Sequence, residues 1–128
     1  MSQQNVEIVR KVCDAFGRND LDQVLSHCDP DVVYKPAQEA TRHGLGAVRA
    51  ALERWAGDIE RLELVAEELL DVGDRVFVTI LIRGRGRTSG VETSARFYEV
   101  FSLRRGTISH WEEFTDRSPA LEAAGLSE

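Results

Sequence analysis

With 128 residues, 42% of them apolar and 30% charged, the chain is long enough to bury one core without disulfide or metal staples. A net charge of −6 argues against nucleic acid or an anionic membrane as a general partner. The opening "MSQQNVEIVRK" lacks the apolar run of a signal peptide and no stretch has membrane-spanning length, so a cytoplasmic location is expected.

Val6, Val9, Val12 and Phe16 recur at helical spacing and predict an amphipathic helix over 4–17. "GRND" breaks it, and Asn19 or Asp20 caps a second short helix carrying Leu21, Val24 and Leu25. "DPD" at 29–31 is turn chemistry, "VVYK" a short strand and "QEATRHGLG" a loop. "AVRAALERWAG" is a third helix with Val48, Leu52 and Trp55 on one side. Cys13 and Cys28 fall in predicted helices without metal-ligand spacing and are expected to be reduced packing residues.

From Arg61 the pattern changes to strands: "RLELVAEELLDV", a tight "GD" turn at 73–74, "RVFVTILIRGRGR", a "TSG" turn, "VETSARFYEVFSL" and "TISHWEEFT". Ser118 and Pro119 open a final short helix, "ALEAA", stopped by Gly125. Residues 1–128 are therefore expected to form one α+β domain, with helices over one face of a curved antiparallel sheet. Ile80, Ile82, Val100 and Phe114 point to a second apolar face, and a two-fold homodimer through that outer face is expected.

The segment "FYEVFSLRRGTISHWEEFTD" places two glutamates, Glu99 and Glu113, in a hairpin otherwise built for burial. If Arg104, Arg105 and Gly106 form a three-residue loop, Glu99 faces Trp111 and Phe97 faces Glu113. Phe97, Glu99, Phe101, Trp111 and Glu113 then share one surface, with the carboxylates diagonal neighbours roughly 5–8 Å apart. A two-residue turn would set Glu99 against Glu112 and send Glu113 to the other side; the first register is preferred because it gathers the aromatics.

Two close carboxylates on an aromatic surface repel and are poorly solvated, so at least one is expected to hold its proton, an arrangement suited to general acid/base work. The competing reading pairs them with arginines, Arg75, Arg83 and Arg96 among them, as buried structural ion pairs. Tyr34 can orient a substrate oxygen or stand as a rim aromatic, while Trp111 is expected as a pocket wall and Trp55 as helix packing. His43 lies in a loop that can reach a pocket mouth; His110 should face away and His27 sits on a helix surface. No metal-ligand spacing and no phosphate-loop glycine pattern occurs, so no cofactor is expected.

The run "DPDVVYKP…HGLGAVRAALERW…GDRVFVTILIRGRGRTSG…YEVFSLRRGTISHWEEFTDRSPALEAAGLSE" resembles the SnoaL-like, ketosteroid-isomerase-like branch of the nuclear transport factor two-like superfamily, over essentially the whole chain. That resemblance implies a cone of strongly bent sheet around helices, with one pocket for small hydrophobic molecules and no cofactor. It places the acid/base pair of the polyketide cyclases on Glu99 and Glu113. The ketosteroid isomerases' base falls near Lys35 and their oxyanion tyrosine near Val12, two departures that count against steroid isomerisation. The epoxide hydrolases' tyrosine, tryptophan, arginine and one aspartate fall on Tyr34, Trp111, Arg75 and Glu113, but their second aspartate falls on Phe77. The expected site is thus Glu99 and Glu113 as catalytic pair, with Tyr34, Trp111, Phe77, Phe97, Phe101 and Arg75 lining the pocket. A cofactor-free cyclase, isomerase, lyase or hydratase and a non-catalytic binding or scaffold domain both remain open.

Overall fold

The structure, a computed structural model, describes residues 2–126. Helix α1 (Ser2–Gly17) buries Val6, Val9, Val12, Cys13 and Ala15 along one stripe, as the apolar spacing requires. The Asp20 carboxylate accepts the Gln23 N–H at 3.2 Å and so caps α2 (Leu21–Ser26), satisfying one of its orphan donors. Strands β1 (Cys28–Lys35) and β2 (Arg42–His43) precede α3 (Leu45–Gly57), which buries Val48, Ala51 and Leu52. Four more strands follow: β3 (Ile59–Val72), β4 (Arg75–Gly86), β5 (Glu92–Arg104) and β6 (Thr107–Phe114), and then α4 (Arg117–Ala124).

The six strands form one curled sheet in the order β2-β1-β6-β5-β4-β3. Every neighbouring pair is antiparallel except β1 and β6, which run parallel and bring the first long strand beside the last. Breaks in register on β3, between Glu60 and Glu63 and between Ala66 and Glu68, bend the sheet where it must wrap the helices.

Strand β4 explains how the layers stack. All seven residues from Val76 to Ile82 are buried, a continuous run that only a strand covered on both faces can carry. Its inner residues, Val76, Val78, Ile80 and Ile82, meet the core under α1–α3. Phe77, on the opposite face, joins Val100, Ala120, Leu121 and Ala124 in a smaller core beneath α4.

Several sequence expectations shift against this frame. "DPD" does not end before β1 but lies within it: the Asp31 N–H reaches the Asp29 carboxylate at 2.8 Å, and the turn chemistry becomes a strand irregularity. Cys28 opens a strand rather than sitting in a helix, and the loop before α3 contains the two-residue β2. Helix α4 starts at Arg117, with Asp116 rather than Ser118 in the cap position. Ile80 and Ile82 belong to the inner face, while Val100 and Phe114 pack with α4, so the residues that argued for an apolar outer face are used inside the chain. No helix among the described residues is long and apolar enough to cross a membrane.

Candidate functional site

The last hairpin positions the site, and it does so with two devices. Arg104 pairs with Thr107 around a two-residue turn in which Arg105 (φ 56°) and Gly106 (φ 76°) are both left-handed, the type I′ geometry that matches strand twist. One register step is then gained between Ser102 and Leu103, so that Leu103 faces Ile108 while Ser102 faces His110. Ser109 is the extra residue, and its hydroxyl donates to the Ser102 carbonyl at 3.2 Å. The three-residue loop expected from sequence is therefore replaced by a tight turn plus a bulge. Both routes put the same side chains on one face, but the bulge sets Glu99 directly opposite Glu113 instead of diagonal to it. Arginine holds the first left-handed turn position at a steric cost that asparagine largely avoids. Arg105→Asn is expected to raise stability by about 1 kcal/mol, read from the urea midpoint.

Cross-strand register arranges the inner face in rows. Tyr34, Trp111, Phe101 and Val76 lie side by side on β1, β6, β5 and β4. The Tyr34 and Trp111 ring centroids are 4.9 Å apart and those of Phe101 and Trp111 5.1 Å. The next row holds Glu113, Glu99 and Val78, and the one after it contains Phe97 beside Ile80. Above these rows α1 contributes Val12, Cys13 and Phe16, α3 contributes Ala51, Leu52 and Trp55, and together they enclose a cavity of about 420 Å³. That volume lies in the range of small-molecule sites.

Glu99 is 4% exposed and its Oε1 accepts the Trp111 indole N–H. Burial pushes its carboxyl well above the ordinary value of 4.5, and the charge of Glu113 and a hydrogen bond to that carboxyl push the same way, while the Trp111 bond opposes them. Glu113 is half-buried, and its Oε1 accepts the Ala37 N–H at 3.3 Å from the segment after β1. Burial first, then Glu113 and Glu99, raise the Tyr34 phenol, and burial followed by Glu99 pushes the Cys13 thiol up to about 12. Tyr34 and Cys13 are therefore neutral hydrogen-bonding groups at neutral pH.

Two of the three arginines offered as structural partners, Arg96 and Arg75, are committed elsewhere. Arg96 lines the mouth but its guanidinium binds both oxygens of Glu67, at 2.7 and 3.1 Å, and Arg75 donates to the Ala123 carbonyl at 3.1 Å. Among the described residues the ion pairs found involve neither Glu99 nor Glu113.

Six of the eight expected site residues line the cavity: Glu99, Glu113, Tyr34, Trp111, Phe97 and Phe101. Phe77 and Arg75 do not. Phe77 pairs with Val100 one position out of phase with Glu99, which turns its ring to the outer face, and the Arg75 guanidinium is held by the carbonyl at the end of α4. Lys35 also points outward, to Glu112 at 3.5 Å. His43 is exposed on β2 outside the cavity lining. Sequence reasoning missed the segment Pro36–Glu39, whose backbone braces Glu113 and whose Glu39 is gripped at 3.2 Å by Arg42 and at 2.8 Å by Arg54. It also missed that Trp55 lines the cavity while packing on Phe16. No group of three His, Cys, Asp or Glu side chains among the described residues is placed to hold a metal ion.

Residues 9–111 match the sequence model of the SnoaL-like domain. No curated protein matches the chain significantly. A protein of unknown function from Burkholderia pseudomallei with the nuclear transport factor two-like fold superposes with a TM-score of 0.81 at 25% identity, over 96% of each chain. A SnoaL-like polyketide cyclase candidate from Jannaschia sp. CCS1 gives 0.82 at 23% identity, covering 95% of this chain and 91% of that one. A ketosteroid-isomerase-like fold from Catenulispora acidiphila, solved with trimethylamine, gives 0.78 at 19% identity, over 94% and 93%. The last two likenesses concern the fold alone.

Proposed function

The chain belongs to the SnoaL-like domain family, and on that premise we propose that its cavity binds a small, largely apolar carbonyl compound and moves protons on it with the Glu99–Glu113 pair. The observation that carries this reading is the pair itself. Two carboxyls face each other across a hairpin, one 4% exposed and its acidity suppressed by burial, at the wall of a cavity of about 420 Å³. Glu99 holds the proton and donates it to the carbonyl oxygen. Glu113 takes a proton from the adjacent carbon, whose bonding pair becomes the carbon–carbon double bond of an enol. Return of a proton to another carbon gives isomerisation, and loss of a β-oxygen substituent gives elimination. Trp111 and Tyr34 hold the ring face of the ligand, and no cofactor enters the scheme.

The alternative is a binding domain without turnover, favoured by the Trp111 bond that occupies one oxygen of Glu99. Two measurements on carboxyl-labelled protein separate the readings. Carbon-13 NMR should show one glutamate ionising well above 4.5, the ordinary value. Deuterium exchange next to the carbonyl, across a panel of cyclic and aryl ketones, should be accelerated by the protein and fall by about 10²–10⁴ in Glu113→Gln. Ordinary titration of both carboxyls, or exchange indifferent to Glu113→Gln, removes the catalytic reading.

A further inference from the structure

The charge inventory of the cavity is lopsided. Glu39, Glu99 and Glu113 line it, and the single basic side chain among its described lining residues, Arg96, is bound through Nε and Nη2 to both oxygens of Glu67. Arg42 and Arg54 both close on Glu39, which accounts for the rim carboxylate but leaves the inner pair unanswered. Two carboxyls sharing one proton keep one negative charge, and here its nearest donors are an indole N–H and one backbone N–H. A neutral ligand would displace water from that charge without replacing its solvation, and an anionic one would add repulsion.

A second observation, independent of the acids, concerns the walls. Tyr34, Phe97, Phe101 and Trp111 from the sheet and Phe16 and Trp55 from the helices present aromatic rings to the same space. The ring quadrupole attracts a cation within about 6 Å of a centroid, most strongly for tryptophan and where water is excluded. An apolar body explains aromatic walls, and an ammonium group explains the aromatic walls together with the unanswered charge.

We propose that the ligand of this cavity carries a cationic nitrogen: a compact, predominantly apolar ammonium compound whose charge sits against the Glu99–Glu113 pair and the surrounding rings. The inference rests on reading the cavity as a small-molecule site and adds the charge type of its occupant; it does not depend on turnover. Binding of a permanent cation favours ionisation of the pair, so it expels the shared proton. The groups that face the pair are Trp111 on β6, Tyr34 on β1 and Cys13 on α1, while Glu39 and Arg42 at the rim act on Tyr34. The phenol and the thiol stay neutral between pH 5 and 8 and the arginines stay charged, so none of these would mimic the effect.

The test uses three probes on one benzyl alcohol scaffold, whose hydroxyl does not ionise between pH 5 and 8: 3-(hydroxymethyl)phenyltrimethylammonium, its neutral isostere 3-tert-butylbenzyl alcohol, and the anion 3-(hydroxymethyl)benzoate. Calorimetry at pH 8 should give the cation at least tenfold tighter binding than the isostere and the anion the weakest of the three. In wild-type protein the cation's affinity should rise from pH 5 to pH 8 while that of the isostere stays level. In the Glu99→Gln/Glu113→Gln double variant, whose side chains keep their size, the gap between cation and isostere should shrink below twofold. The proposal is overturned if the isostere matches or exceeds the cation, if no probe binds, or if the gap survives in the double variant. The outcome is separate from the proton-transfer reading, because neither NMR titration nor ketone exchange enters it.

Discussion

Glu99→Gln is expected to make the protein more stable above pH 6 and to flatten the dependence of its stability on pH. The sign follows from linkage. The folded carboxyl holds its proton above the ordinary value of 4.5, whereas the unfolded one releases it there, so the native state binds the extra proton. Wild-type stability contributed by this group is complete below about 4.5 and falls as pH rises towards the raised native value, with a limiting slope of about 1.4 kcal/mol per pH unit. Glutamine mimics the protonated form: its oxygen accepts from Trp111 and its amide donates to Glu113. Glu67 and Glu68 act in the opposite direction, because hydrogen bonds from Arg96 and Arg117 hold their carboxyls below the ordinary carboxylate range, so their contribution is present at neutral pH and lost on acidification. Both are shared by the two proteins and cancel in the difference. Urea titrations of wild type and variant at pH 4, 6 and 8 check this; curves that stay parallel would mean that Glu99 titrates normally.

Phe77→Ala is expected to cost about 3–5 kcal/mol, the range for truncating a fully buried phenylalanine. The ring is 0% exposed, lies 6.3 Å from that of Tyr98, and supports the Arg117 guanidinium at 5.2 Å from its centroid. It is the largest side chain in the core under α4, so that helix should lose its seat first. Hydrogen exchange in residues 117–124 should quicken more than in α1 or α3. The raised titration of Glu99 should stay where it is, because Phe77 is on the face away from the cavity. A loss below about 1 kcal/mol, or a shift in Glu99, would show that the two faces of the sheet are not separate.

Which parts of this were legible in the sequence follows from how local the signals are. Helix α1 was readable because four apolar residues at helical spacing need no knowledge of their partners, and β4 because its β-branched run is long. The shared face of Glu99, Phe101, Trp111 and Glu113 was readable because strand side chains alternate. The exact pairing was not. Turn length and bulge trade against each other, and Ser109, the residue that absorbs the extra step, carries no mark that separates it from an ordinary strand serine.

Phe77 and Arg75 were misplaced for a related reason. A resemblance aligns positions along a strand, while a face is set by parity counted from Glu99 through its partner Val78. The support for Glu113 from the Ala37 backbone was invisible because it spans 76 positions and uses no side chain of its own.

The parallel pairing of β1 with β6 has a consequence for how the molecule comes into being. Tyr34 leaves the ribosome well before the strand that carries Trp111 and Glu113. Until that strand emerges β1 has only the two-residue β2 as a strand partner, and the hollow between helices and sheet has no closing wall. Contacts so distant along the chain are made late and slowly. Binding capacity therefore arrives only once β6 has emerged and paired, and a nascent or truncated chain that stops short of residue 107 exposes its greasy inner surface to whatever chaperone is nearby.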